Sequence, residues 1–111
     1  MTRDAAKAGP DRLERIATAR RNFVFRAGDD KNRLLSSHQR WLEGVEAELL
    51  TIRSLAHRLR GTAGSYGFMA TSRAAADLEL LAQESGVPSE LAAPIQRLIE
   101  ELENMRADDP S

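Results

Sequence analysis

The stretch "SLAHRLRGTAGSYGF", residues 54–68, combines the leucine spacing of a helix with three glycines that weaken one. Leu55 and Leu59 lie four residues apart and would share a face, whereas His57 falls between them. Each glycine inside a helix costs roughly 0.5–1 kcal/mol relative to alanine. We therefore expect something other than helix stability to set the glycine positions in this segment.

The faces of this segment follow from the rotation of about 100° between successive helical residues. Its apolar side chains fall opposite His57, which predicts that the imidazole points to solvent. Arg53 and Arg60 flank His57, and Leu50 lies one row of side chains above it. The predicted buried stripe consists of Ile52, Leu55, Leu59, Ala63 and Tyr66.

Two of the glycines share the face of the histidine. Gly61 and Gly64, four and seven residues after His57, lie almost directly below it along the helix axis. They would remove side chains where another protein must come close to the imidazole. Alternatively, such glycines mark close packing between helices, or the end of a helix, as Gly67 would.

The charged residues also have an ordinary interpretation. A lone histidine on a helix is usually a solvated or hydrogen-bonded side chain. The arginines would then be surface charges that pair with Glu46, Glu48 or Glu79. The placement of histidine, arginines and glycines on one stripe, opposite the core, favours a functional site over these separate explanations.

Length and composition restrict the class of protein. The 111 residues suffice for one domain, and a formal net charge of −1 argues against a nucleic-acid binder. Cysteine is absent, and two histidines, His38 and His57, are too few for a metal site. No apolar run approaches the roughly 20 residues of a membrane span, and the N-terminus lacks a secretory signal. We therefore expect a cytoplasmic protein with no membrane partner.

The whole chain is predicted to be helical, because β-branched residues are sparse and no segment alternates with period two. A first helix opens at "PDRLERIATARRNFVFRAG", is capped by Asp11 with Glu14, and ends at Gly28. After "DD", residues 29–30, a second helix fades around Gly44. The apolar residues of these two helices are Leu13, Ile16, Ala17 and Val24, then Leu34, Leu35, Trp41 and Leu42.

The third and fourth helices follow. The third contains the histidine and runs from near Glu46 to about Tyr66. Thr71 or Ser72 caps the fourth, which stops at "SGVP", residues 85–88.

The fifth helix has an undecided start. If Ser89 is its cap, Pro94 removes a backbone donor and bends the first turns; otherwise the regular helix starts nearer Ala93. Its apolar side is formed by Leu91, Ile95, Leu98, Leu102 and Met105.

Short connections between helices favour an all-α fold, an antiparallel up-down bundle of four core helices plus the N-terminal helix. We place this single domain at residues 10–106, between flexible tails at 1–9 and 107–111. No internal repeat divides it.

The segment "AHRLRGTAGSYG", residues 56–67, resembles the signature of histidine-containing phosphotransfer (HPt) domains, commonly Ala-His-x-Leu-Lys-Gly-x-Ala followed by a glycine. The downstream "LELLAQ" resembles the leucine-rich helix that the family places next, so that the likeness covers about residues 30–105. Arg60 stands where lysine is usual, and arginine can hold two phosphate oxygens at once. The matching residues are Ala56, His57, Leu59, Gly61 and Ala63, with Gly64 and Gly67 in a frequent extension.

The resemblance implies that His57 accepts a phosphoryl group from a receiver-domain aspartyl phosphate and passes it to another receiver. We expect attack by Nε2, because Nδ1 lies nearer the backbone. Arg60 would neutralise the phosphate, with Arg53 as a further candidate. The implied partners are response-regulator receivers and a hybrid sensor kinase; the chain brings no cofactor, and the receiver supplies Mg²⁺. The implied docking residues are Leu50, Arg53, Gly61 and Gly64.

A phosphoryl carrier is expected here, and not an ATP-dependent kinase. The residue after His57 is Arg58, where the commonest sensor-kinase bundles have an acidic residue, and no glycine-rich phosphate loop is present. One alternative is a non-catalytic helical adaptor that binds a receiver without phosphotransfer. Another is a dimerising kinase fragment, which predicts a stable homodimer, whereas we expect a monomer. His38 is expected to be a polar helical residue without a site.

Overall fold

Four α-helices and one short 3₁₀ turn form the chain in the computed structural model, which describes the backbone of residues 2–108 and the side chains of residues 11–106. No strand occurs in that part of the backbone. The elements are α1 (Thr2–Leu42), α2 (Glu48–Ser65), α3 (Met69–Glu84), the 3₁₀ turn (Pro88–Leu91) and α4 (Ala92–Asp108).

Each helix of the bundle contacts two neighbours. Helices α1 and α3 both pack against α2 and α4, whereas α2 and α4 lie on a diagonal and their backbones do not approach closely. Ion pairs Arg40–Glu48 and Arg58–Asp30 show that α1 and α2 run antiparallel. The predicted all-α antiparallel bundle is confirmed. Its largest fully buried side chains, drawn from all four helices and the turn, are Leu34, Ile52, Leu59, Leu78, Leu91, Ile95, Leu98 and Leu102.

Helix α1 is continuous, so the predicted break at Gly28 and the following two aspartates is wrong. Gly28 does not adopt the positive φ of a helix end. A Cβ at this position would lie 2.8 Å from Nη1 of Arg106, so the glycine makes room for an α4 side chain. Asp30 is only 6% exposed and pairs with Arg58 of α2. Both apparent break signals therefore serve packing between helices.

The start of α1 also differs from the prediction. The helix begins at Thr2, so Asp11 and Glu14 lie within it and do not form a cap. The predicted tails at residues 1–9 and 107–111 involve side chains outside the described residues, and the domain limits remain a prediction.

The N-terminal part of α1 extends past the other helices. Among its described side chains, which start at residue 11, the first buried one is Phe23. The predicted inward residues Leu13 and Ile16 are 68% and 51% exposed. A helix of 41 residues with a rise of about 1.5 Å per residue accounts for the 61 Å length of the molecule. The other helices are much shorter and cannot cover this end. Of the other predicted apolar residues, Val24, Leu34 and Trp41 are buried, whereas Leu35 and Leu42 are exposed.

Helix α2 agrees with the prediction to within two residues at each end. Gly67, with φ of +85°, follows it in the left-handed conformation that glycine tolerates, so this glycine marks a helix end. Helix α3 starts at Met69, and the predicted caps Thr71 and Ser72 lie inside it. The hydroxyl of Thr71 is buried and donates to the Glu101 carbonyl of α4 at 3.5 Å, which explains its polarity without a capping role.

The start of α4 resolves the two alternatives for Pro94. A 3₁₀ turn ends at Leu91 and α4 begins at Ala92, so Pro94 occupies the first turn, where its missing N–H is best tolerated. All five predicted apolar residues of this region are buried.

His38 donates from Nε2 to the Pro88 carbonyl at 3.1 Å and connects α1 to the turn. Among the described residues, no helix is long and apolar enough to cross a bilayer.

Candidate functional site

His57 stands on the outer face of α2, as predicted. Its side chain is 64% exposed, whereas the adjacent Ala56 is fully buried. Four members of the predicted inward stripe are buried, and Tyr66 is partly buried against the core. The helix therefore anchors the histidine with its apolar face and presents the imidazole outward.

A carboxylate of α3 orients the imidazole. Nδ1 of His57 lies 2.6 Å from Oε2 of Glu79, a side chain that is only 13% exposed. An ionised carboxylate has no hydrogen to donate, so Nδ1 must carry the proton of this hydrogen bond. In the neutral ring the lone pair then resides on Nε2. Glu79 thereby selects the tautomer whose distal nitrogen is nucleophilic.

Arg60 lies beside the same ring. Its Nε forms an ion pair with Oε1 of Glu79 at 3.4 Å, so the two oxygens of one carboxylate contact the histidine and the arginine. Nη2 of Arg60 is also 3.4 Å from Nδ1 of His57. Both of these nitrogens carry hydrogen when Nδ1 donates to Glu79, so this contact is proximity and not a hydrogen bond. The pairing of Arg60 with Glu79 was one of the ordinary interpretations, and here it also fixes a cation next to the imidazole.

An open groove of 280 Å³ runs between α2 and α3 at this position. Besides His57 and Glu79, it is lined by Leu50, Arg53, Ser54 and Gln83. Leu50 is 63% exposed. Arg53 has no ion-pair partner among the described side chains, so its charge is not neutralised locally.

Two contributors to this groove, Glu79 and Gln83, were not predicted as site residues. They are four residues apart on α3 and so share one face of that helix. Helical periodicity places this face beside the buried Leu78 and Ala82. Periodicity does not determine the position of α3 along the axis of α2. That relative position brings Glu79 to the histidine.

The glycines near His57 have different surroundings. A Cβ at Gly61 would have no heavy atom within 4 Å, so this position opens to the surface. At Gly64 a Cβ would lie 3.2 Å from Oγ of Ser72, which donates to the Arg60 carbonyl at 2.8 Å. Gly64 therefore faces α3, in agreement with the packing alternative. Gly61 leaves bare helix backbone one turn from the imidazole.

Metal binding finds no support in the geometry of the described residues. Among them, no group of three or more histidine, aspartate or glutamate side chains is placed to hold an ion. The polar groups of the site are one imidazole, one carboxylate, two guanidiniums, a hydroxyl and an amide. This set suits an anionic ligand next to a nucleophile.

Comparison with known proteins bears directly on this arrangement. Neither curated proteins nor solved structures give a significant match. The family model described as "Hpt domain" matches residues 7–108, nearly the whole chain. That family performs histidine phosphotransfer in two-component phosphorelays and interacts with receiver domains. The chain therefore belongs to the Hpt domain family.

Proposed function

We propose that His57 is the phosphoacceptor of a phosphorelay carrier that takes a phosphoryl group from one receiver aspartate and passes it to another. The observation that carries this proposal is the 2.6 Å bond between Nδ1 of His57 and Glu79 on an otherwise exposed ring. It leaves Nε2 with a free lone pair on the solvent side of the bundle. A nucleophile prepared in this way needs no general base.

The transfer step balances without a proton leaving the attacking atom. The Nε2 lone pair attacks phosphorus in line, the N–P bond forms, and the bond from phosphorus to the aspartyl oxygen breaks. The electron pair of that bond returns to the receiver carboxylate. The ring, still protonated at Nδ1, becomes cationic, and Glu79 at 2.6 Å offsets this charge. The reverse sequence delivers the phosphoryl group to a second receiver.

Two arginines supply positive charge for the phosphoryl oxygens. Phosphate on a side chain carries a charge of about −1.5 to −2. Arg60 is held beside the ring through its Nε, which leaves its other N–H groups for an incoming oxygen. Arg53 lines the same groove and is a second candidate for this role. Arginine in place of the usual lysine offers two parallel donors and should hold the phosphoryl group in a more defined orientation.

The receiver is proposed to dock over the groove that contains His57. Leu50 offers an apolar contact, Arg53 a charge, and Gly61 the space for close approach. Gly64 lies at the α3 edge of this surface, where it also accommodates Ser72. The receiver brings its aspartate and Mg²⁺. A hybrid sensor kinase as the ultimate donor, a cytoplasmic location and a monomeric state remain predictions.

The test is transfer from a phosphorylated receiver to this chain, followed by measurement of acid-labile phosphate. His38→Gln is the matched control, because it changes the second histidine of the sequence. We expect label on the wild type and on His38→Gln, and none on His57→Gln. Label persisting on His57→Gln would disprove the assignment. A wild type that stays unlabelled with every receiver of the same genome would favour the adaptor function.

A further inference from the structure

A second groove lies on the opposite flank of α2. It has a volume of 370 Å³ and runs between α1 and α2. It shares Leu50 and Ser54 with the groove that contains His57, so the two grooves meet along one ridge of α2. A partner that covers His57 and this ridge therefore also reaches the second groove. Its lining consists of Arg33, Leu50, Thr51, Ser54, Leu55 and Arg58.

The charges of this second groove are all positive. Arg58 directly follows the histidine, and its Nη2 donates to Oδ1 of Asp30 at 2.7 Å. Asp30 is buried, so it fixes the guanidinium from below, while the Arg58 side chain remains 49% exposed. Arg33 is exposed and has no ion-pair or hydrogen-bond partner among side chains 11–106. The groove thus offers the guanidinium of Arg58, fixed in place by Asp30, and the unpaired guanidinium of Arg33. The hydroxyl residues Thr51 and Ser54 also line it.

We infer that the α1–α2 groove is a second docking subsite, which binds an acidic side chain of the receiver from outside its phosphorylation pocket. The inference rests on the proposed function, because it is the receiver docked over His57 that would reach the neighbouring groove. Charge complementarity identifies the occupant: Arg33 is unpaired, Arg58 keeps N–H donors beyond its bond to Asp30, and both can bind a carboxylate. The charged residues that line this groove are both arginines, in a chain with a net charge of −1.

Arg33 is the specificity-determining residue of this subsite. Complementary charges at the edge of an interface act mainly on the association rate and on the choice of partner. Arg58 is already paired with Asp30, whereas the charge of Arg33 is available in full. Receivers with an acidic residue at the matching position should therefore exchange phosphate with this chain faster than receivers without one.

The experiment compares Arg33→Glu with Arg97→Glu, which makes the same change of formal charge on α4. Arg97 is exposed, and the backbone of α4 does not approach that of α2 closely. The probe is a panel of phosphorylated receiver domains from the same genome, and the measured quantity is the second-order rate constant of transfer to His57. With the receivers that react fastest, Arg33→Glu should be slower than Arg97→Glu by about tenfold at low salt. The difference should shrink as ionic strength rises, because exposed charges are screened.

A small phosphodonor separates this inference from the proposed function. Phosphoramidate should label His57 equally in the wild type and in Arg33→Glu, because Arg33 does not contact the ring. Transfer from receivers that is equally fast in Arg33→Glu and Arg97→Glu would overturn the inference and leave the proposed function standing. Slower labelling by phosphoramidate in Arg33→Glu would also overturn it, since Arg33 would then act on the histidine itself. A wild type labelled by no receiver would defeat both.

A second variant protects the test against misfolding. Arg33→Ala removes the charge without introducing a repulsive one, and Arg33 is exposed with no hydrogen bond or ion pair to side chains 11–106. Its transfer rate should fall between those of the wild type and Arg33→Glu. The acidic surface residues of the receiver should also be changed to lysine, one at a time. One of these receiver variants should transfer its phosphoryl group to Arg33→Glu at a restored rate. Failure of every such receiver variant to restore transfer would contradict a direct charge pair.

Discussion

Removal of the Glu79 carboxylate should slow phosphorylation of His57 without unfolding the bundle. Glu79→Ala deletes the acceptor of the Nδ1 proton and the partner of Arg60, whereas Glu79→Gln keeps an acceptor oxygen and loses the charge. Without the carboxylate, part of the neutral histidine carries its proton on Nε2, and the developing cation loses its counter-charge. Both effects lower the reactivity of Nε2.

The size of the effect follows from the geometry. The carboxylate bonds Nδ1 before reaction too, so only the strengthening of this contact as the ring becomes cationic lowers the barrier. The upper bound of this strengthening is about 1.5–3 kcal/mol, the contribution of a hydrogen bond to a charged group. The His57 side chain is 64% exposed, and solvent weakens ionic contacts at the surface, so the lower end of that range applies. At about 1.36 kcal/mol per tenfold change in rate, we expect Glu79→Ala to be roughly tenfold slower. Glu79→Gln should lie between the wild type and Glu79→Ala.

The assay is the rate of His57 labelling by phosphoramidate, which involves no docking partner, together with ¹⁵N NMR of the imidazole to report the tautomer. Glu84→Ala is the matched control, because it makes the same substitution at an exposed position of the same helix outside the groove. Its rate should stay within about twofold of the wild type, as for other surface substitutions away from a bonding network. A Glu79→Ala rate equal to that of Glu84→Ala, with an unchanged tautomer, would refute the role given to Glu79.

Three further predictions concern the buried ion pair and the glycines of α2. Arg58→Ala should destabilise the bundle by about 3 kcal/mol in urea unfolding, because it leaves the buried carboxylate of Asp30 unpaired. Oδ2 of Asp30 already lacks a partner among the described residues. Asp30→Ala should cost less, since Arg58 is half exposed and can rehydrate; equal losses would contradict this reasoning. Gly61→Ala should stabilise by about 0.5–1 kcal/mol, since its Cβ meets open space, whereas Gly64→Ala should gain less because of the Ser72 hydroxyl. Gly61→Leu should leave thermal stability intact and impair transfer from a receiver; an unfolded variant would show that this glycine serves internal packing.

The parts of the fold that depend on local periodicity were predictable from sequence. The bounds of α2, the inward side of α4 and the exposure of His57 all follow from residues on the same helix. A leucine or alanine placed every three or four residues fixes which face is buried. The opposite face is then exposed, and His57 lies at its centre.

The continuity of α1 could also have been found. Gly28 and the two aspartates after it are ordinary signals for a helix end, and the prediction of a break relied on them. A longer pattern of buried positions indicates one continuous helix. That pattern runs through the predicted break with alternating spacings of four and three residues. Its members are all buried: Phe23, Ala27, Asp30, Leu34, Ser37 and Trp41.

The carboxylate partner of His57 could not be predicted in the same way. Glu79 lies 22 residues from His57, and their contact depends on the relative position of two helices along their axes. Helical periodicity gives the face of each helix but not that offset. The pairing of Arg58 with Asp30, 28 residues apart, has the same origin. Spacing within one helix cannot predict tertiary contacts of this kind, and the groups that orient His57 depend on them.

The most direct measurement of the central claim is the identity of the phosphorylated atom. After transfer from a receiver, ³¹P and ¹⁵N NMR of the chain should place the phosphoryl group on Nε2 of His57, with Nδ1 still protonated and bonded to Glu79. Phosphate on Nδ1 of His57, or on any other residue, would contradict the proposed mechanism.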